Sequence, residues 1–266
     1  VNPPIFVFRE PGDIPFTAEL YWLLRQRGRP IQSRFSLRHL QANLPQVVAQ
    51  AAPFAQKAPV GKKVFVFATL HYWIEHATML SVALAGQGHH VTMGFLPFGE
   101  WQKPINRFDL RRQNAYARKV LGLASPLIQP VSLLDTRTSV HLLPTELNNE
   151  VARVTNYDTQ YTLQIEDVDL NSDVYQLRLK RNQMAAQAAM MWLQSHRPDV
   201  VIVPNGTIQE LGIIYRVARY LKIPVVTYEF GDQRERIWLA QNAEVMRQET
   251  DSMWSAWSSK PLADEQ

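Results

Sequence analysis

Between residues 199 and 229 the chain alternates in a way that few folds satisfy. "DVVIVPNG" (199–206) is a short, β-branched apolar run closed by a sharp turn. "TIQELGIIYRVARYLK" (207–222) has helical spacing, and "IPVVTYE" (223–229) is apolar and β-branched again. Strands that read as continuous apolar runs are covered on both faces, and a strand, helix and strand in succession form a right-handed parallel crossover. A second such unit stands at 63–97. There "KVFVFAT" leads into "HATMLSVALAGQG", whose apolar stripe is Met79, Leu80, Ala83 and Leu84, and then into "HHVTMGFLP".

Two units of this kind predict an α/β chain: a doubly wound, mostly parallel, Rossmann-like sheet with helices on both faces. The remaining segments fit around it. "NRFDLRRQNAYARKVLGLAS" predicts a basic helix over 106–122, "QPVSLLD" a third strand, and "LPTELNNEVARVTNYDTQYTLQIED" a helix. "SDVYQLRLKRNQMAAQAAMMWLQSH" (172–196) predicts a long helix, and "ERIWLAQNAEVMRQETDSMWSAW" another. Residues 1–60 are irregular. They hold one helix stopped by Gly28 and Pro30 and a second interrupted at Pro45 and Pro53, and they read as an N-terminal extension packed on the main domain. The expected division is 1–60 as this extension, 61–250 as the Rossmann-like domain, and 251–266 as a polar tail or the start of a linker.

Composition narrows the chemistry. The chain has 266 residues and no cysteine, which removes disulfides, thiolate catalysis and cysteine zinc sites and fits a reducing cytoplasm. Lys and Arg number 28 against 24 Asp and Glu, too even a balance to argue for specific nucleic-acid binding. No apolar run approaches the roughly 20 residues that span a bilayer. The glycines are too scattered for a G-x-G-x-x-G or phosphate-loop motif, so neither NAD nor ATP is expected, nor any other cofactor.

In an open α/β sheet ligands bind beyond the carboxyl ends of the strands, which directs attention to 69–76, 204–207 and 228–235. In "FATLHYWIEHATML", His71 and Glu75 stand four apart with His76 next to them. A histidine beside a carboxylate suits a general base; alternatively His71 or Glu75 caps the helix while Tyr72 and Trp73 pack. The spacing H-x-x-x-E-H matches no zinc-protease motif, so no metal is expected. In "VPNGTIQE", Thr207 and Glu210 have capping-box spacing, and Asn205 is the better residue for touching a ligand. In "YEFGDQRER", Glu229 and Asp232 suit sugar hydroxyls and Arg234 an acidic group, unless the segment is a surface ion-pair cluster. The basic helix 106–122 is either a solvated face or a peripheral contact with a membrane surface.

Taken together, "KVFVFATLHYWIEHATMLSVALAGQGHHVTMGFLP" and "RPDVVIVPNGTIQELGIIYRVARYLKIPVVTYEFG" resemble the amino-terminal domain of GT-B glycosyltransferases, over about 63–231. "LAGQGHHVTM" stands where that family has an "ARGHEVT"-like turn, and "PDVVIVPNG" where it has a "PDVVHVH"-like strand. The resemblance implies a cytoplasmic bacterial enzyme, at the inner face of the membrane, in polysaccharide or glycolipid synthesis. It implies a saccharide or glycolipid acceptor bound by this domain and a nucleotide-sugar co-substrate bound by a carboxyl-terminal partner domain. The catalytic base comes from the first loop in that family, which points to His71 oriented by Glu75. His76, Asn205, Glu229, Asp232 and Arg234 would then line the acceptor cleft. The first loop here has no glycine, which argues against a backbone phosphate cradle and for side-chain work. The chain holds one such domain, so it is expected to have little transferase activity alone. A nucleotide-sugar epimerase of the same architecture and a non-catalytic binding module are the alternative readings.

Overall fold

β1 (Lys63–Thr69) is buried along all but its first residue, and it is the centre of the fold. A computed structural model describes residues 11–30, 35–136, 142–231, 236–247 and 251–260. β1 pairs in parallel with β2 (His90–Leu96) on one side and β4 (Val200–Pro204) on the other, with Val64 opposite both Val91 and Val200. β3 (Gln129–Ser132) and β5 (Val225–Phe230) extend the sheet in parallel, and β6 (Ile237–Gln241) closes one edge antiparallel to β5. The strand order is β3-β2-β1-β4-β5-β6, so the direction of winding reverses between β1 and β4. This is the expected mostly parallel, Rossmann-like α/β sheet.

Helices α3 (His71–Gly86), α4 (Arg107–Leu121) and α7 (Gln209–Tyr220) are the crossovers between neighbouring parallel strands. α5 (Thr145–Leu163) and α6 (Asp173–His196) carry the chain from β3 back across to β4 and pack with α7. α6 is tied to the sheet by Trp192, which stacks on Phe65 of β1 at 4.4 Å. Gly94 of β2 makes room for that ring, since a Cβ there would lie 2.3 Å from Phe65. Two helices are capped by side chains: Asn106 accepts from the Asp109 amide and Ser172 from that of Tyr175.

α1 (Thr17–Leu24) and α2 (Arg38–Lys57) bury Trp22, Leu40 and Leu44 in the same apolar core as the sheet. α2 corrects the expectation of an interrupted helix, for it runs through Pro45 and Pro53. Both prolines are exposed, so the hydrogen bonds they cannot make fall on the solvent side, while Leu40, Leu44, Val47 and Val48 face inward. The stretch 235–257 is also not one helix. β6 takes its first part, because β5 would otherwise be an unpaired edge, and among the described residues α8 (Asp251–Trp257) is the one α-helix that follows. No helix among the described residues is long and apolar enough to cross a membrane. The basic residues of α4 are largely spoken for: Arg107 pairs with Asp13 at 2.7 Å, Arg111 with Glu19, Arg112 with Asp109 and Arg118 with Asp135 at 2.8 Å. That pairing leaves α4 less free charge for a membrane surface than its sequence suggests.

Candidate functional site

The carboxyl ends of β1, β4 and β5 meet at the reversal point of the sheet. β1 reaches α3 through one residue, Leu70, held at φ 61° where glycine is usual. The stretch 71–76 is therefore not a loop but the first turns of α3. β4 reaches α7 through Asn205 (φ 58°) and Gly206 (φ 82°). Asn205 organises this turn. Its Oδ1 accepts from the amides of Thr207 (2.9 Å) and Ile208 (3.3 Å), and its Nδ2 donates to Glu229 Oε2 at 3.1 Å. Glu229 Oε1 also accepts from the Phe230 amide at 3.1 Å, so this carboxylate is held from both oxygens.

The expected capping box is not formed. Asn205 takes the loop amides, α7 begins at Gln209, and both Thr207 Oγ1 and Glu210 Oε1 are buried without a hydrogen-bond partner among the described residues.

His71 is the first residue of α3. Its Nδ1 is buried and has no hydrogen-bond partner among the described residues, and its ring meets the edge of Tyr72 at 5.4 Å. Glu75 does not orient it. Glu75 Oε1 accepts from the Leu40 amide (3.4 Å), one of the free N–H groups at the start of α2. α2 has no side-chain cap of its own, so a residue four positions from His71 is drawn to the neighbouring helix instead.

His76 lies in an aromatic box. Its Nδ1 shares a 3.1 Å hydrogen bond with the Tyr228 hydroxyl, and its ring sits 4.7 Å from Phe230 and 6.3 Å from Trp73. Burial lowers its pKa, so the imidazole is neutral at pH 7. Burial, then the charge of Glu229, pushes the Tyr228 phenol far up, so it stays protonated. Trp73 stacks flat on Phe230 at 5.1 Å. Tyr72 is partly exposed, and burial, then Glu229, raises its pKa, which couples the first turn of α3 electrically to the end of β5.

The structure thus gathers His71, Tyr72, Trp73 and His76 from α3, Asn205 from the β4 turn, and Tyr228, Glu229 and Phe230 from β5. Trp73 and Tyr228 are buried within this cluster, while the rings of Tyr72 and Phe230 are exposed beside the carboxylate that Asn205 holds. Asp232 and Arg234 lie outside the described residues.

A second polar centre escapes the sequence reading. Arg178 and Arg181 of α6, Asp158 of α5 and Glu210 of α7 are all at most 5% exposed. Arg178 pairs through Nε with Asp158 and donates to the Trp101 carbonyl at 3.1 Å. Arg181 donates to the carbonyls of Glu100 and Lys103, both at 2.7 Å. Asp158 Oδ1, Arg178 Nη2 and Asn182 Oδ1 have no partner among the described residues. Burial pushes the Asp158 carboxyl up to about 6 against the opposing pull of Arg178. The signal for this centre was present: Arg178, Arg181 and Asn182 share the helix face of Tyr175, Ala185 and Ala189, where apolar residues belong.

Fold and edge together define an α/β protein with a Rossmann-like sheet and a polar, aromatic-lined site at its reversal point. No protein-family model matches the chain, and no curated protein matches its sequence.

Proposed function

We propose that this edge binds the hydroxyl-bearing acceptor of a sugar transfer, a saccharide or glycolipid, with His71 as the base. The observation that carries the reading is the His71 imidazole, on the first residue of α3 past the carboxyl end of β1, whose buried Nδ1 has no partner among the described residues. An unpaired buried polar atom costs free energy, and a ligand is the natural group to offset it. His71 takes the proton of the acceptor hydroxyl as that oxygen attacks the anomeric carbon of a nucleotide-sugar, and the nucleoside diphosphate leaves. Glu229, fixed by Asn205, accepts from a second hydroxyl, and the exposed rings of Tyr72 and Phe230 offer apolar faces. The nucleotide-sugar is a co-substrate held by a partner domain, and no cofactor takes part.

Two measurements test this. On a glycan array the chain is expected to retain saccharides that Glu229→Gln and Asn205→Ala release at least about ten-fold more readily, a difference of about 1.4 kcal/mol. A chain that retains no saccharide overturns acceptor binding. When the chain is joined to a donor-binding domain, His71→Ala is expected to lower turnover roughly 10²–10⁴-fold, as loss of a general base does, with acceptor affinity unchanged. Full turnover by that variant removes His71 from the chemistry. Glu75→Ala acts on stability through Leu40 and leaves the rate alone.

A further inference from the structure

The loop between β2 and α4 closes over a cavity of about 690 Å³, walled also by the end of α1 and by α4. Five cationic side chains line it: Arg25, Arg29, Lys103, Arg112 and Arg181. Two carboxylates, Glu100 and Asp109, oppose them, which leaves an excess of three positive charges (five less two). Both carboxylates are engaged within the set, Glu100 with Lys103 at 3.6 Å and Asp109 with Arg112. Arg25, Arg29 and Arg181 have no carboxylate within 4 Å among the described residues.

Two of these guanidinium groups are fixed in advance. Arg181 is 5% exposed, lies over the Phe98 ring at 4.4 Å, and spends two of its five N–H donors on loop carbonyls, so three remain. Arg112 lies over the rings of Tyr21 and Phe108 at 5.2 and 5.1 Å, donates through Nη1 to Gln26 Oε1 at 2.9 Å, and its Nε is buried without a partner among the described residues. Arg25 and Arg29 stand exposed at the rim. Burying Arg181 is costly, and packing does not require it, because apolar residues serve a helix face as well or better. What the arrangement achieves is a rigid cation in a cavity wall, the usual basis for binding a multiply charged anion.

We propose that this cavity binds a phosphorylated saccharide, with its phosphate held by Arg112 and Arg181 and closed in by Arg25 and Arg29. A phosphate brings up to two negative charges and several acceptor oxygens, which suits the charge excess and the remaining N–H donors. The volume falls within the range of small-molecule sites, with room for a sugar beside the phosphate, and Pro104 and Ile105 supply an apolar wall. The cavity shares no side chain with the His71, Asn205 and Glu229 site and does not depend on the transfer reading.

Calorimetry on the 266-residue chain tests it with glucose 1-phosphate, inorganic pyrophosphate and unphosphorylated glucose. Glucose 1-phosphate binds saturably, more weakly as salt rises, and glucose does not. Arg25→Ala with Arg29→Ala, which leaves the core untouched, weakens binding at least about ten-fold. His71→Ala binds as the wild type does, so failure of the transferase reading leaves this result standing. A second arm uses phosphatidylcholine vesicles with and without phosphatidic acid. Binding to the acidic vesicles that the rim variant loses, without binding of the soluble sugar phosphate, overturns the saccharide and assigns the phosphate's source to a lipid headgroup. No saturable binding to either probe, or binding undiminished in the rim variant, overturns the proposal.

Discussion

Gly94 shows how a single atom is constrained by the fold around it. Its missing Cβ would lie 2.3 Å from the tip of the Phe65 ring, which is also held by stacking on Trp192 at 4.4 Å. Gly94→Ala is therefore expected to destabilise the chain by about 1–3 kcal/mol, the usual cost of overpacking a closed core. Urea unfolding measures it. If the clash is the cause, adding Phe65→Leu recovers part of the loss, and the two changes together cost less than their sum. At this scale the sequence is only partly legible. Asn205 and Glu229 are readable as strand-end polar residues, and they prove to be hydrogen-bonded to each other. The pairing of His71 with Glu75 is not readable correctly, because helical spacing says nothing about a free amide on α2 that competes for the carboxylate.

Elements are more legible than contacts, for a physical reason. The stretches 64–68 and 200–204 are apolar throughout because both faces are covered, and α6 and α7 announce themselves by period and length. β6 misleads because "IWLAQ" leaves its large side chains exposed, so its pattern does not report a buried strand. Its place comes instead from the need of β5 for a partner. α2 misleads because proline is read as a helix breaker, whereas here both prolines face water. Each still forgoes a helical hydrogen bond and crowds the preceding turn. Pro45→Ala is thus expected to stabilise the chain by about 1 kcal/mol, since alanine's better helix propensity exceeds the entropy that proline removes from the unfolded chain. The shift of the urea midpoint measures this. A loss of stability would mean that Pro45 bends α2 to seat Leu40 and Leu44.

At the scale of the whole molecule, three helices and one loop converge on a handful of buried charges. Asp158 of α5, Arg178 and Arg181 of α6 and Glu210 of α7 bring together three successive helices, and the two arginines fasten the β2–α4 loop, distant in sequence, by its carbonyls. Two effects compete at Asp158: Arg178 favours the carboxylate, and burial together with Glu210 favours the acid. Burial wins and pushes the carboxyl up to about 6. A raised folded pKa means that the folded chain holds a proton which the unfolded chain releases near pH 4. The folded state is then favoured most below about pH 4, and this contribution declines as the pH rises to about 6 and is constant above it. Two pH units correspond to about 3 kcal/mol. Asp158→Asn mimics the protonated form, so the variant is expected to match the wild type near pH 4 and to exceed it in stability at pH 7. Urea titrations of both proteins from pH 4 to 7 measure the difference. The opposite outcome, a variant several kcal/mol weaker at pH 7, would mean that the ion pair with Arg178 outweighs burial and that the centre is held together by charge.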